Sequence, residues 1–149
     1  MPDHSWLGAT MVVAGVGIPV MAALNGGLGT KLDNPVQAAT ILFTLALACC
    51  LVLLWLQPRE LTVDLVAAAP PHFYLGGLLV AFYVLAITWI APIIGVGNAI
   101  MLVLTGQLFA SALIDHSGWL GAPVSPLSSV RAVGILLMAL GILLARRPM

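Results

Sequence analysis

Between Asp64 and Asp115 lie 50 consecutive residues without a Lys, Arg, Asp or Glu. A soluble fold cannot absorb such a stretch, because its water-facing side needs charged residues at intervals. One bilayer crossing takes about 20 apolar residues, so the stretch has room for two helices. Ala91-Pro92-Ile93-Ile94-Gly95-Val96-Gly97 supplies the break between them, Pro and Gly being the punctuation of apolar runs. The rest of the chain has the same character, 62% hydrophobic and 7% charged overall, which excludes a soluble globular enzyme and equally excludes intrinsic disorder. Five Lys and Arg balance five Asp and Glu. That leaves no basic cluster for a phosphate backbone and excludes nucleic acid as a partner. The partner implied is a lipid bilayer.

The remaining charges delimit spans at Trp6–Leu24, Val36–Leu56, Phe73–Ala91, Val96–Ile114 and Ser128–Ala145. Residues 1–149 therefore read as a single all-α transmembrane domain of five helices. The last span is the shortest, with 14 residues between Arg131 and Arg146, roughly 21 Å of helix. A cap from Ser128 or Ser129 after Pro126, and an Arg131 side chain that snorkels to the headgroups, complete it. Trp6, Trp55, Trp89 and Trp119 all fall at or just beyond span ends, where amphipathic rings favour the interface. Gly8, Gly15 and Ala22, and then Gly134 and Gly141, recur every seven residues. Such stripes let helix backbones approach closely in lipid.

Chemistry-bearing motifs are scarce. Cys49 and Cys50 are adjacent within an apolar run and read as small packers, and His4, His72 and His116 are scattered at the interfaces, so no metal site is expected. There is no GxxxxGK[ST], and Gly15-Val16-Gly17 lies within a span, so neither a nucleotide cofactor nor ATP-driven work is expected. The start, MPDHSW, lacks the basic residues of a signal peptide. Arg59, Glu60 and Asp64 read as a solvated loop at the membrane surface.

An odd number of spans puts the termini on opposite sides. Arg59 and Arg131 then face Lys31, Arg146 and Arg147 across the bilayer, two against three. Orientation follows the Lys/Arg excess, and with almost none the chain is expected to insert both ways up. Two oppositely inserted copies would build, as an antiparallel homodimer of ten helices, the inverted-repeat architecture of many transporters. Orientation fixed by a partner or by the residual bias is the alternative.

The spans hold no mid-membrane Asp, Glu, Lys or Arg. Ionisable groups at that depth usually mark proton relays, so proton-driven export of organic cations is disfavoured. The interior polarity is neutral instead. Asn25 ends the first span, Asn98 opens the fourth, and Gln107, Ser111 and Asp115 follow at i, i+4 and i+8 as one polar stripe. Asn98, nine residues before Gln107, faces elsewhere. A midplane amide must find hydrogen-bond partners, either on another helix or in a solute-filled cavity. Gln107 and Ser111 are thus the leading substrate-binding candidates, with Asn25 and Asn98 behind them. Pro19 and Pro92 free backbone carbonyls and, with Gly95 and Gly97, are candidate hinges. Asp115, His116 and Arg131 are expected to fix loop geometry, and the adjacency of Asp115 and His116 leaves room for a shared hydrogen bond or pH sensitivity between them.

Pro19, Leu24-Asn25-Gly26-Gly27-Leu28-Gly29 and Asn34-Pro35 resemble the start of YdcZ-like membrane proteins. Gly76-Gly77, Ala91-Pro92 with Gly95, Thr105-Gly106-Gln107-Leu108 and Ile114-Asp115-His116-Ser117-Gly118 follow in the same order, then Pro123, Pro126-Leu127, and Arg131 before Gly134. The resemblance implies the drug/metabolite transporter superfamily and a small bacterial inner-membrane exporter. It also implies relatives with ten spans that look like two fused five-span copies. Four-span members of the superfamily carry a membrane-embedded glutamate in the first span, which this chain lacks. The expected activity is therefore secondary transport of a neutral, zwitterionic or amphiphilic solute by alternating access. The transporter would be the antiparallel homodimer or a heterodimer with a homologous five-span chain. A non-transporting lipid-binding or helix-packing subunit, or a passive channel, is the competing expectation.

Overall fold

The computed structural model describes residues 5–57 and 63–145. These residues form α1 (Ser5–Lys31), α2 (Pro35–Leu56), α3 (Val63–Ala68), α4 (Leu75–Ile94), α5 (Val96–Ser117) and α6 (Ser129–Ala145), with no strand among them. The chain gathers into two compact units, Met1–Ile93 and Ile94–Met149. Trp6–Lys31, Pro35–Leu56, Pro71–Ile94 and Val96–Ser117 are long and apolar enough to cross a membrane, and Ser129–Ala145 is a shorter apolar helix. The protein is thus an all-helical membrane protein with four to five helices of spanning character. Arg59, Glu60, Arg146 and Arg147, which enter the charge count, and His4 lie outside the described residues.

In the first unit α1 does not stop at Leu24 as expected but continues through Asn25-Gly26-Gly27 to Lys31. Glycine inside a helix costs about 1 kcal/mol relative to alanine, and close packing offsets that here. A Cβ on Gly26 would lie 3.2 Å from Pro92 Cγ. One on Gly29 would lie 3.1 Å from Thr88 Cγ2 and 3.4 Å from Pro35 Cα. The seven-residue stripe therefore works differently from its spacing. Gly8 and Gly15 have open space beside them, whereas Ala22 is buried and the tight contacts fall at Gly26 and Gly29. The chain turns at Asp33, whose φ of 50° is left-handed. The Asn34 side chain then caps α2, accepting from the backbone N–H groups of Val36 at 2.9 Å and Gln37 at 3.1 Å, with Pro35 in the first helical turn.

The segment expected as a plain loop contains α3, which carries Asp64 and is tied to the following turn by the Tyr74 hydroxyl donating to the Val66 carbonyl. A 3₁₀ turn at Pro71–Tyr74 leads into α4. That helix runs past Ala91 and through Pro92 to Ile94. A proline so near the C-terminus removes one helical hydrogen bond, that to the Thr88 carbonyl, without stopping the helix. The break expected over Ala91–Gly97 is accordingly one residue, Gly95, at φ 88°. Gly97 lies within the first turn of α5, and Pro19 lies inside an unbroken α1.

In the second unit α5 ends at Gly118, a left-handed C-cap at φ 66° whose N–H donates to the Ile114 carbonyl. A Cβ there would also sit 2.6 Å from Val124 Cγ2. Gly118→Ala is therefore expected to lower stability by about 1–3 kcal/mol, read as a lower thermal midpoint in detergent. Adding Val124→Ala should recover only the steric part.

Candidate functional site

The first unit is built around a polar contact. Thr88 is the largest fully buried side chain, 1% exposed, and Asn25 is 4% exposed. The Asn25 amide donates to Thr88 Oγ1 at 2.5 Å. Ala22, Ala38, Ala39 and Ala91 are buried with them, so small side chains let α1, α2 and α4 close around the hydrogen bond. Asn25 is consequently an interior residue of α1 engaged by a partner helix, rather than a group at a span end.

Beside this contact the ends of the same helices enclose a cleft of about 280 Å³, lined by Gly29, Thr30, Asp33, Pro35, Thr88, Trp89, Pro92 and Ile93. The Thr30 hydroxyl donates to the Gly26 carbonyl at 3.0 Å. Asp33 is exposed, and among the described residues the one ion pair is Arg131 with Asp115. The cleft adjoins a groove of about 380 Å³ between α2 and α4, sharing Pro35 and Trp89 with it and otherwise walled by apolar residues such as Val36, Phe82 and Leu85.

On α5 the candidates separate. Asn98 is buried and its amide donates to the Ile94 carbonyl at 3.0 Å. Gln107 and Ser111 lie one turn apart on an exposed face in the middle and lower half of the helix. The Ser111 hydroxyl donates to the Leu108 carbonyl at 3.1 Å, while Gln107 has no hydrogen-bond partner among the described residues. Gly106, next to it, has nothing within 4 Å of a would-be Cβ. This face is open. An amide there, halfway along a spanning helix, faces hydrocarbon unless a second surface or a solute covers it.

The family comparison falls on the whole of this arrangement. Residues 6–144 match the family described as "Putative inner membrane exporter, YdcZ". The chain belongs to the YdcZ family of inner-membrane exporters. Membership places it in the inner membrane as a transporter. No curated protein and no solved structure matched the chain.

In this YdcZ-family chain the loop after α5 is held by side chains. Arg131 Nη2 donates to Asp115 Oδ2 at 2.5 Å and Nη1 to Ser125 Oγ at 3.4 Å. The Ser125 N–H donates to the Asp115 carbonyl at 2.7 Å. The Asp115 and His116 side chains do not bond to each other. Each has a different partner, Arg131 for Asp115 and the Leu127 N–H, which donates to His116 Nδ1 at 3.1 Å, for His116. Ser128 Oγ accepts from the Arg131 N–H at 3.2 Å and so caps α6. Among the described residues no three His, Cys, Asp or Glu side chains are grouped to hold a metal ion. Cys49 and Cys50 are exposed on α2.

Thr88, Thr30 and Asp33 were not singled out from the sequence, and Trp89 was noted only as an aromatic at a span end. A usable signal existed for Thr88, which precedes Pro92 by four residues, the carbonyl a helical proline leaves without its donor. Asp33 carried none beyond its place before Asn34-Pro35.

Proposed function

We propose that the chain is one half of a secondary exporter for a small neutral, zwitterionic or amphiphilic solute, assembled as an antiparallel pair of five-span chains. Gln107 and Ser111 are the solute-contacting groups at the midplane. Pro19, Pro92, Gly95 and Gly97 allow the helix ends to flex during alternating access, while Asp115, His116 and Arg131 hold the loop at the membrane surface. The observation that carries this reading is Gln107, an exposed amide halfway along α5 with no hydrogen-bond partner among the described residues. The helices of the second unit leave that group exposed, and a second chain with a solute between the two would satisfy it. An antiparallel pair suits a midplane residue, because a two-fold axis lying in the membrane plane brings the middle of one helix to the middle of its copy.

Single cysteines introduced near each terminus, with Cys49 and Cys50 replaced by Ala, test the assembly. A membrane-impermeant maleimide added to intact cells is expected to label both positions, each in separate molecules. Labelling of one terminus alone would overturn the homodimer and point to a homologous chain inserted the opposite way.

A further inference from the structure

We propose that the cleft where the C-terminal ends of α1 and α4 meet the start of α2 binds the ammonium end of an amphiphilic or zwitterionic molecule. The polar groups there are almost all acceptors. The N–H groups of Val36 and Gln37 are taken by the Asn34 side chain. Those of Asp33 and Asn34 are taken by the carbonyls of Thr30 and Gly29. The Thr30 hydroxyl proton is committed to the Gly26 carbonyl, which leaves the oxygen lone pairs. The Thr88 carbonyl lacks its helical donor because residue 92 is proline. The Asp33 carboxylate, also on the lining, has no ion-pair partner among the described residues. The Trp89 indole N–H and the hydroxyl of the buried Thr88, which accepts from Asn25, are the remaining donors, and the Trp89 ring gives the cleft an aromatic wall that attracts cations.

The longer-range field has the same sign. Two helices of 27 and 20 residues end beside the cleft, and helix C-termini carry partial negative charge. The opposing N-terminus of α2 is already capped by Asn34. Lys31 lies on the preceding turn and does not line the cleft. A carboxylate or phosphate would face Asp33 and both helix ends, whereas an alkylammonium finds acceptors on several sides. The neighbouring apolar groove, which shares Pro35 and Trp89 with the cleft, receives an alkyl chain leaving that headgroup. Head and tail thus have adjoining sites within one unit.

This site deepens the exporter reading by naming the charged end of the cargo; it rests on that reading for transport, not for binding. The same ammonium chemistry is offered by a phosphatidylethanolamine headgroup and by a free amphiphilic amine. Purified full-length protein in dodecylmaltoside is titrated with hexylammonium and, separately, with uncharged 1-hexanol, followed by calorimetry. Hexylammonium is expected to bind at least about tenfold more tightly than hexanol, and Asp33→Asn to remove about that preference. Asparagine tolerates the left-handed backbone of position 33, so an unchanged thermal midpoint verifies the fold of that variant. Equal affinity for the two probes, or an Asp33→Asn protein that binds hexylammonium as well as the parent, would overturn the site. Competition by added phosphatidylethanolamine but not phosphatidylglycerol would support it with a lipid headgroup as occupant. Absence of competition from either lipid, with hexylammonium still bound through Asp33, would support it with a free amine. Binding retained in a protein that moves no solute in liposomes would sink the exporter reading and leave the site standing.

Discussion

Gln107→Ala is expected to abolish solute movement by reconstituted protein while leaving its thermal midpoint in detergent unchanged. The side chain is exposed and has no hydrogen-bond partner among the described residues, so its removal takes no support from the fold of one chain. In hydrocarbon an unpaired amide costs several kcal/mol, and the working assembly must cover it. A drop of at least about tenfold, equivalent to about 1.4 kcal/mol, is the minimum expected if the amide contacts solute. Flux lost with the dimer intact on size-exclusion chromatography would assign Gln107 to the solute path. Flux lost together with the dimer would assign it to the interface. Flux at the parent rate would remove it from both.

Thr88→Val is expected to have the largest effect on stability. Valine keeps the shape and deletes the hydroxyl, stranding the Asn25 amide, 4% exposed, among alanines. A buried polar group left unsatisfied costs about 1–3 kcal/mol. Interhelical hydrogen bonds in membranes are often worth less, about 0.6 kcal/mol on average. The burial of both partners at a three-helix junction favours the upper part of that span. Thermal unfolding in detergent provides the reading. Adding Asn25→Leu should restore most of the loss, because replacing both partners by apolar groups can be nearly neutral. No recovery in the double variant would mean that α1 and α4 are held by the glycine contacts and not by the hydrogen bond.

Much of the architecture was legible because bilayer physics writes itself into composition. The uncharged stretch before Asp115 holds the whole of α4 and α5 as far as Ile114, with one glycine between the two helices, and the start and end of α2 fall within a residue of the sequence reading. The end of α1 was not legible. Asn25-Gly26-Gly27 is a helix stop by local propensity, and only the approach of Thr88 and Pro92, more than 60 positions away, turns it into a packing surface. The sequence singled out Asn25 for its amide but could not name Thr88 as its partner, since a lone threonine in a span usually bonds its own helix. For Gln107 depth was legible but direction was not. Periodicity places it on a stripe with Ser111, and within the second unit both residues are exposed. The pairing of Asp115 with Arg131 rather than His116 depends on how the loop returns, which neighbouring letters do not encode.

The short last helix has a consequence for the membrane itself. α6 has 17 residues, about 26 Å along its axis, and packs beside α5, which at 22 residues reaches about 33 Å. On the five-span reading both must be accommodated in hydrocarbon about 30 Å thick. The longer helix can tilt; the shorter one, where snorkelling flanks do not make up the difference, draws the two leaflets together around itself at fractions of a kcal/mol for each ångström of mismatch. The exporter would then carry a collar of thinned bilayer on one flank. Acyl-chain length in the host membrane would set how firmly its last helix stays inserted.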